Sequence, residues 1–103
     1  MEQSQAIAAL AALAQDTRLE IIRYLVRQGD VGAPAGQIAE TLEASGPRLS
    51  FHLAALERAG LVQVTKSSRQ RIYRASLSHL GALVAYLLED CCANDPSVRA
   101  CCD

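Results

Sequence analysis

The 103-residue sequence predicts a mainly α chain carrying one small β-hairpin. Three observations carry that expectation. Apolar residues recur at helical spacing over most of the length. Between residues 61 and 74 the pattern changes to alternation on both sides of a polar stretch. Hydrophobic residues make up 50% of the chain, yet Trp is absent and Phe occurs once, a composition suited to packed helices rather than an aromatic-rich sandwich. A chain of this size supports a single modest core, which makes a homo-oligomer an expected solution.

Residues 3–28 read as helix in two parts. Ile7, Leu10, Leu13 and Ala14 recur at helical spacing in the first, and Asp16-Thr17 offers a cap for the second, which carries Leu19, Ile22, Leu25 and Val26. Gly29 ends it, and residues 29–34 form a turn-rich linker. A short helix over 35–42 follows, with Ile38, Ala39 and Leu42 inward. Ser45-Gly46-Pro47 supplies a turn, a capping hydroxyl and a proline in the first helical turn, where its missing N–H costs nothing.

The helix opened there runs to about Ala59, and Gly60 provides a left-handed stop. Leu49, Leu53 and Leu56 fall within about 60° of one another at ~100° per residue, one buried stripe. Arg48, Phe51, Ala55 and Arg58 project from the other side. An exposed Phe beside two Arg is the oddity of this helix, and packing on a neighbouring loop is its structural alternative. Residues 61–65 and 70–74 alternate as hairpin strands around the polar tip 66–69. Ser76 can cap a last helix in which Leu80, Leu83, Val84, Leu87 and Leu88 form a broad apolar face, suited to the core or to a second chain. Pro96 interrupts regular helix, so residues 93–103 are expected to be irregular.

Net charge is −1, but its distribution is uneven. Between residues 48 and 74 lie six basic side chains (Arg48, Arg58, Lys66, Arg69, Arg71, Arg74) and one acid, Glu57, so that segment is +5 and the remainder −6. A basic patch on an acidic body suits a polyanion; a solvated surface with an accidental charge cluster is the alternative. Helix 35–42, turn 43–46, helix 47–59 and a basic hairpin are together the order of a winged helix-turn-helix. In that arrangement the second helix presents its first turns to base edges in the major groove, while the hairpin lies along the backbone or minor groove.

Five stretches, LAALAQDTRLEIIRYL at 10–25, IAETL at 38–42, SGPRLSFHL at 45–53, LERAGLV at 56–62 and IYR at 72–74, resemble the ArsR/SmtB family of metalloregulatory repressors. The likeness spans roughly residues 6–90. It implies a winged-helix homodimer, paired through its first and last helices, that binds an inverted-repeat operator and releases it when an inducer binds. By matching position it implies DNA contacts for Ser45, Arg48, Ser50, Phe51 and His52 in the recognition segment and for Arg69 and Arg71 in the wing; Lys66, on the basic tip of the same hairpin, is a further DNA-binding candidate. His52 and Leu53 also serve packing in that motif. Residues 1–90 would be the DNA-binding and dimerisation unit and 91–103 a cysteine-rich, inducer-binding tail.

The chain departs from the family at its sensor. Many arsenic-responsive members carry a Cys-Val-Cys pair at the start of the third helix, and residues 32–38 here contain no thiol. The last helix also lacks the His and carboxylate pattern of the zinc- and cobalt-sensing branch, since His79 is its only His. All four cysteines, Cys91, Cys92, Cys101 and Cys102, instead lie in the last thirteen residues. Members with arsenite-binding thiols near the C-terminus are similar to this sequence.

Clustered thiolates select soft centres. As(III), as the family's chemistry implies, and Sb(III) take three sulfurs in a pyramid, which four cysteines can supply within or between chains; a methylated arsenical needs two. Zinc is the weaker fit, because structural zinc ligands are typically spaced C-x₂₋₄-C rather than adjacent. A thiol-redox or persulfide switch is the main competitor.

A disulfide staple suits neither the local clustering nor the cytoplasmic location expected of a chain with no leader-like start and no apolar run near the ~20 residues of a membrane span. A thiol oxidoreductase is disfavoured by the absence of Cys-x-x-Cys and of a phosphate-cradling loop, and a metallothionein-like buffer leaves the basic patch unexplained. No permanent cofactor and no catalytic role are expected.

Overall fold

In the computed structural model, which describes residues 1–101, helix α1 (Gln3–Leu13) opens with a Glu2 N–H that donates to Gln5 Oε1 at 2.8 Å. Its inward face is Ala6, Ala9 and Ala12, not the larger side chains. Ile7 and Leu10 point outward, 58% and 42% exposed. Both faces of this segment are apolar, so periodicity could not choose between them. The alanine face lies closest to the core, where small side chains allow near approach of backbones.

Helix α2 (Asp16–Gln28) is capped one residue earlier than expected, by Gln15, whose side-chain oxygen accepts from Arg18 N–H at 2.9 Å. Ile21, Ile22 and Leu25 are buried, whereas Leu19 and Val26 are exposed. Gly29, at φ 60°, ends the helix. The supposed linker then makes a 3₁₀ turn (Gly29–Val31) and a two-residue strand β1 (Ala33–Pro34). Gly32 between them has φ 65°, and a Cβ there would sit 2.5 Å from the Tyr73 carbonyl oxygen, so only glycine fits.

Helix α3 (Ala35–Leu42) has the expected bounds, buries Ile38 and ends at Glu43 in the left-handed region, φ 54°. Helix α4 (Gly46–Arg58) starts at Ser45 with Pro47 in its first turn, although the Ser45 hydroxyl makes no capping bond. Leu49, Leu53 and Leu56 are each at most 1% exposed, confirming the leucine stripe. Burial of this kind stabilises by about 1.5–3 kcal/mol per side chain. Gly60, at φ 81°, lets the chain leave α4 for the sheet.

Strands β2 (Val62–Ser67) and β3 (Gln70–Ala75) pair antiparallel from Val62↔Ala75 to Ser67↔Gln70. The ladder therefore runs through what the sequence marked as a four-residue tip, leaving Ser68 and Arg69 as the turn. β1 adds to the free edge of β3 through Ala33↔Tyr73 and Pro34↔Ile72, giving the sheet order β1-β3-β2. An edge position is where proline can join a ladder. Val62 and Tyr73 root the hairpin in the core, and residues 65–71 are exposed.

Helix α5 (Leu77–Tyr86) is capped by Ser76, whose hydroxyl accepts from His79 N–H at 3.4 Å. Of its apolar face only Leu83 is buried; Leu80, Leu87 and Leu88 are half-buried, while Val84 and Leu77 are 50% and 57% exposed. The helix continues as a π turn (Leu87–Cys91). Ala93 and Asn94, both left-handed, reverse the chain into a short helix α6 (Pro96–Ala100). Over residues 93–101 the expected irregularity is thus replaced by ordered structure: Asp95 caps α6 by accepting from Ser97 N–H at 2.8 Å, and Pro96 occupies the first position, where proline is favoured. Among the described residues no helix is long and apolar enough to cross a membrane.

Candidate nucleic-acid interface

Helices α3 and α4, joined by residues 43–45, pack as a helix-turn-helix whose second helix lies beside the β2–β3 wing. The leucine stripe faces the core, which leaves Arg48, Ser50 and Phe51 exposed along the first half of α4, with Ser45 just before it. Lys66, Arg69 and Arg71 are exposed on the wing. The structure thus brings seven of the eight expected DNA-contacting residues onto accessible surfaces of α4 and the wing.

His52 is the correction. It is 7% exposed and packs inward with Leu49, Leu53 and Leu56. Arg18 Nη1 lies 3.2 Å from His52 Nδ1, and Arg18 Nε donates to the Ala12 carbonyl at 2.7 Å. Desolvation, reinforced by the charges of Arg18 and Arg48, holds the His52 pKa below its ordinary value. A neutral ring with Nδ1 as acceptor from Arg18 fits that environment, so His52 supports the recognition helix from behind. The Phe51 ring stands edge-on to it, centroids 5.5 Å apart at 72°.

Arg74 refines the charge count. Its Nε donates to the Asp30 carbonyl and its Nη1 to Thr65 Oγ1, both at 2.6 Å, so this cation ties the wing to the turn after α2. Between α3, α4 and the wing lies an open cleft of about 490 Å³, bordered by Pro34, Ser50, Ala54, Gln70 and Arg71. Gln70 was not singled out from sequence; its place opposite Ser67, beside the hairpin turn, could have marked it. Arg18 was quoted only within a motif, and nothing local sets it apart from Arg23 and Arg27 on the same helix.

The cysteines stand apart from this surface. Cys91 ends the π turn and is exposed, Cys92 is half-buried, and Cys101 is exposed after α6 with its thiol directed to the Ser97 carbonyl at 3.6 Å. Cys102 lies outside the described residues. Desolvation, followed by a side-chain hydrogen bond with Cys91 and the charges of Cys91 and Asp95, pushes the Cys92 thiol above its ordinary pKa. Among the described residues no three Cys, His, Asp or Glu side chains are grouped to hold a metal ion. The three-thiolate arrangement expected from sequence is therefore not assembled among them: Cys91 and Cys92 are held on the extension of α5, and Cys101 follows a separately capped helix.

A family model described as a helix-turn-helix domain matches residues 13–65. The transcriptional activator HlyU of Vibrio cholerae is 33% identical over 84 residues, 82% of this chain and 75% of HlyU. Among solved structures, an ArsR-like transcriptional regulator from Rhodococcus sp. RHA1 has a TM-score of 0.78 at 30% identity, covering 94% of this chain and 89% of that one. The homodimeric winged helix-turn-helix DNA-binding domain of Mb0332 from Mycobacterium bovis has a TM-score of 0.68 at 28% identity, covering 84% and 81%. These relatives are regulators of transcription, not enzymes.

Proposed function

Because the chain belongs to the ArsR family of DNA-binding transcriptional regulators, we propose that it is a homodimeric repressor whose operator is released when trivalent arsenic or antimony binds C-terminal thiolates. The observation that carries the DNA-binding half is the exposure of Arg48, Ser50 and Phe51 on α4 beside Lys66, Arg69 and Arg71 on the wing, on an otherwise acidic chain. Two such surfaces related by a two-fold axis read an inverted repeat. Their recognition helices must then span successive major grooves about 34–36 Å apart.

Dimerisation is supported by apolar side chains left in solvent on two helices packed against each other. These are Ile7 and Leu10 of α1 and Leu77 and Val84 of α5. Pairing through the first and last helices would bring Cys91 and Cys92, at the end of the π turn that continues α5, near the edge of that interface. The tail would then act as an inducer-binding segment attached to a DNA-binding and dimerisation unit of residues 1–90.

The inducer chemistry is ligand exchange without oxidation. Arsenous acid and three thiols give an As(SR)₃ pyramid and three waters, and a monomethyl arsenical does the same with two. Cys91 and Cys92 offer an adjacent pair, and Cys101 or Cys102, from the same chain or its mate, the third sulfur. Gathering three thiols of one chain would bring α6 and the π turn together, whereas a third sulfur from the mate would draw on the dimer arrangement instead. The differential affinity of the inducer for the two arrangements sets how far the operator-bound population falls. Zinc, needing a tetrahedron of ligands, is the weaker candidate.

A second reading rests on the adjacency of Cys91 and Cys92 in the chain: a dithiol that answers an oxidant such as peroxide or a persulfide. One titration separates the two. Release of an operator duplex is followed under strict reduction with As(III), methylated As(III), Sb(III) and Zn(II), then with peroxide and persulfide. Release by As(III) that disappears when Cys91, Cys92, Cys101 and Cys102 are all serine supports the proposal; an intact arsenite response in that variant refutes it. A reporter assay with and without the protein gives the sign of regulation, repression being expected.

A further inference from the structure

Phe51 is 62% exposed on α4, whereas Leu49, Leu53 and Leu56 on the same helix are at most 1% exposed. It does not pack on a neighbouring loop, the alternative its sequence context allowed. Its ring is held from behind by the edge-on contact with His52, which is itself buried and clasped by Arg18. The aromatic side chain is therefore presented rather than left loose. It is the sixth of thirteen residues in α4, within the half of the helix that meets base edges in this class of motif. Arg48 is exposed one turn earlier on the same side, and Arg69 and Arg71 are exposed on the wing, positive charge suited to a phosphate backbone.

An aromatic ring pushed into a major groove desolvates whatever it meets. Purine edges and the cytosine amino group offer donors and acceptors that a phenyl ring cannot satisfy, and burying them unpaired is costly. Thymine alone among the four bases adds an apolar group there, its C5 methyl. We propose that Phe51 is a specificity-determining residue that selects thymine in each operator half-site by packing against that methyl. This rests on the DNA-binding reading above and names the base chemistry that the recognition helix reads.

The test uses the full chain and a duplex selected by it from a random pool. Each thymine is replaced in turn by deoxyuridine, which deletes only the C5 methyl, and affinity is measured by fluorescence anisotropy. Wild type is expected to lose about three- to fivefold at one position in each half-site, the amount expected for one buried methyl group. Phe51→Ala should bind the thymine duplex more weakly and be indifferent to uridine at that position. Because Phe51 is exposed, circular dichroism melting should show this variant folded as wild type. Deoxycytidine paired with guanine should bind more tightly there when 5-methylated, for wild type only.

Wild type insensitive to uridine at every thymine would overturn the inference, as would Phe51→Ala retaining the wild-type sensitivity. Both results leave DNA binding itself intact. Failure to select any duplex would instead bring down the DNA-binding reading and this inference with it.

Discussion

Arg18 at the start of α2 and His52 in the middle of α4 meet at 3.2 Å, Nη1 to Nδ1, while the same guanidinium holds the Ala12 carbonyl at the end of α1. One side chain thus joins the exposed apolar helix, the core helix and the recognition helix. Arg18→Ala leaves a half-buried carbonyl and a buried ring nitrogen without their donor and should cost about 1–3 kcal/mol in urea unfolding. Combined with His52→Leu, the double variant should lose less than the sum of the two single changes by at least ~0.5 kcal/mol. Strict additivity would show that the contact carries no coupling.

Acid should weaken the fold through His52. Its pKa is lowered in the native state by burial and by Arg18 and Arg48, so below the usual value near 6.5 the unfolded chain binds the proton that the folded chain resists. Stability from this group is then complete above that pH and declines as pH falls through and below it. Urea midpoints between about pH 5.5 and 7.5 should slope downward toward acid in wild type and flatten in His52→Gln. An unchanged slope in the variant would assign the effect to other groups.

Two wing arginines only three residues apart should behave oppositely. Arg71 is exposed, so Arg71→Ala should weaken DNA binding about evenly across sequences and reduce the salt slope by about 1, with stability within ~0.5 kcal/mol of wild type. Arg74 donates to Asp30 and Thr65, so Arg74→Ala should lower the unfolding free energy by about 1 kcal/mol. Titrations in salt and in urea read both effects.

The outward face of α1 tests the dimer. Ile7→Glu with Leu10→Glu places charge on side chains 58% and 42% exposed in the single chain, where it should leave the monomer folded. Sedimentation equilibrium should show the dimer dissociating in this variant and DNA affinity falling with it, since one half-site is held by one recognition helix. A dimer of undiminished strength would move the interface elsewhere.

The helix-turn-helix was legible because its signals are local. Pro47, the Leu49–Leu53–Leu56 spacing and Gly60 each act through neighbouring backbone or a single helix face, and α3 and α4 formed where they indicated. The thiols' concentration at the C-terminus was equally plain, but not their arrangement. Ala93 and Asn94 in left-handed conformations and the Asp95 cap turn the tail into α6, which keeps Cys101 on a different element from Cys91 and Cys92.

By itself, then, the sequence determined the order of helices, the leucine stripe, the hairpin and the basic segment, all properties of periodicity, turn residues and charge. Only the tertiary structure decided which apolar face of α1 turns inward, that Ala33 and Pro34 close the sheet edge, and that His52 and Arg74 serve the fold while Phe51 remains outside. Each of those outcomes depends on partners 34 to 44 residues away in the chain, as between residues 18 and 52 or 30 and 74, or on competition between two similar faces. A local pattern carries no record of such contacts, because their free energy exists only once the elements have packed.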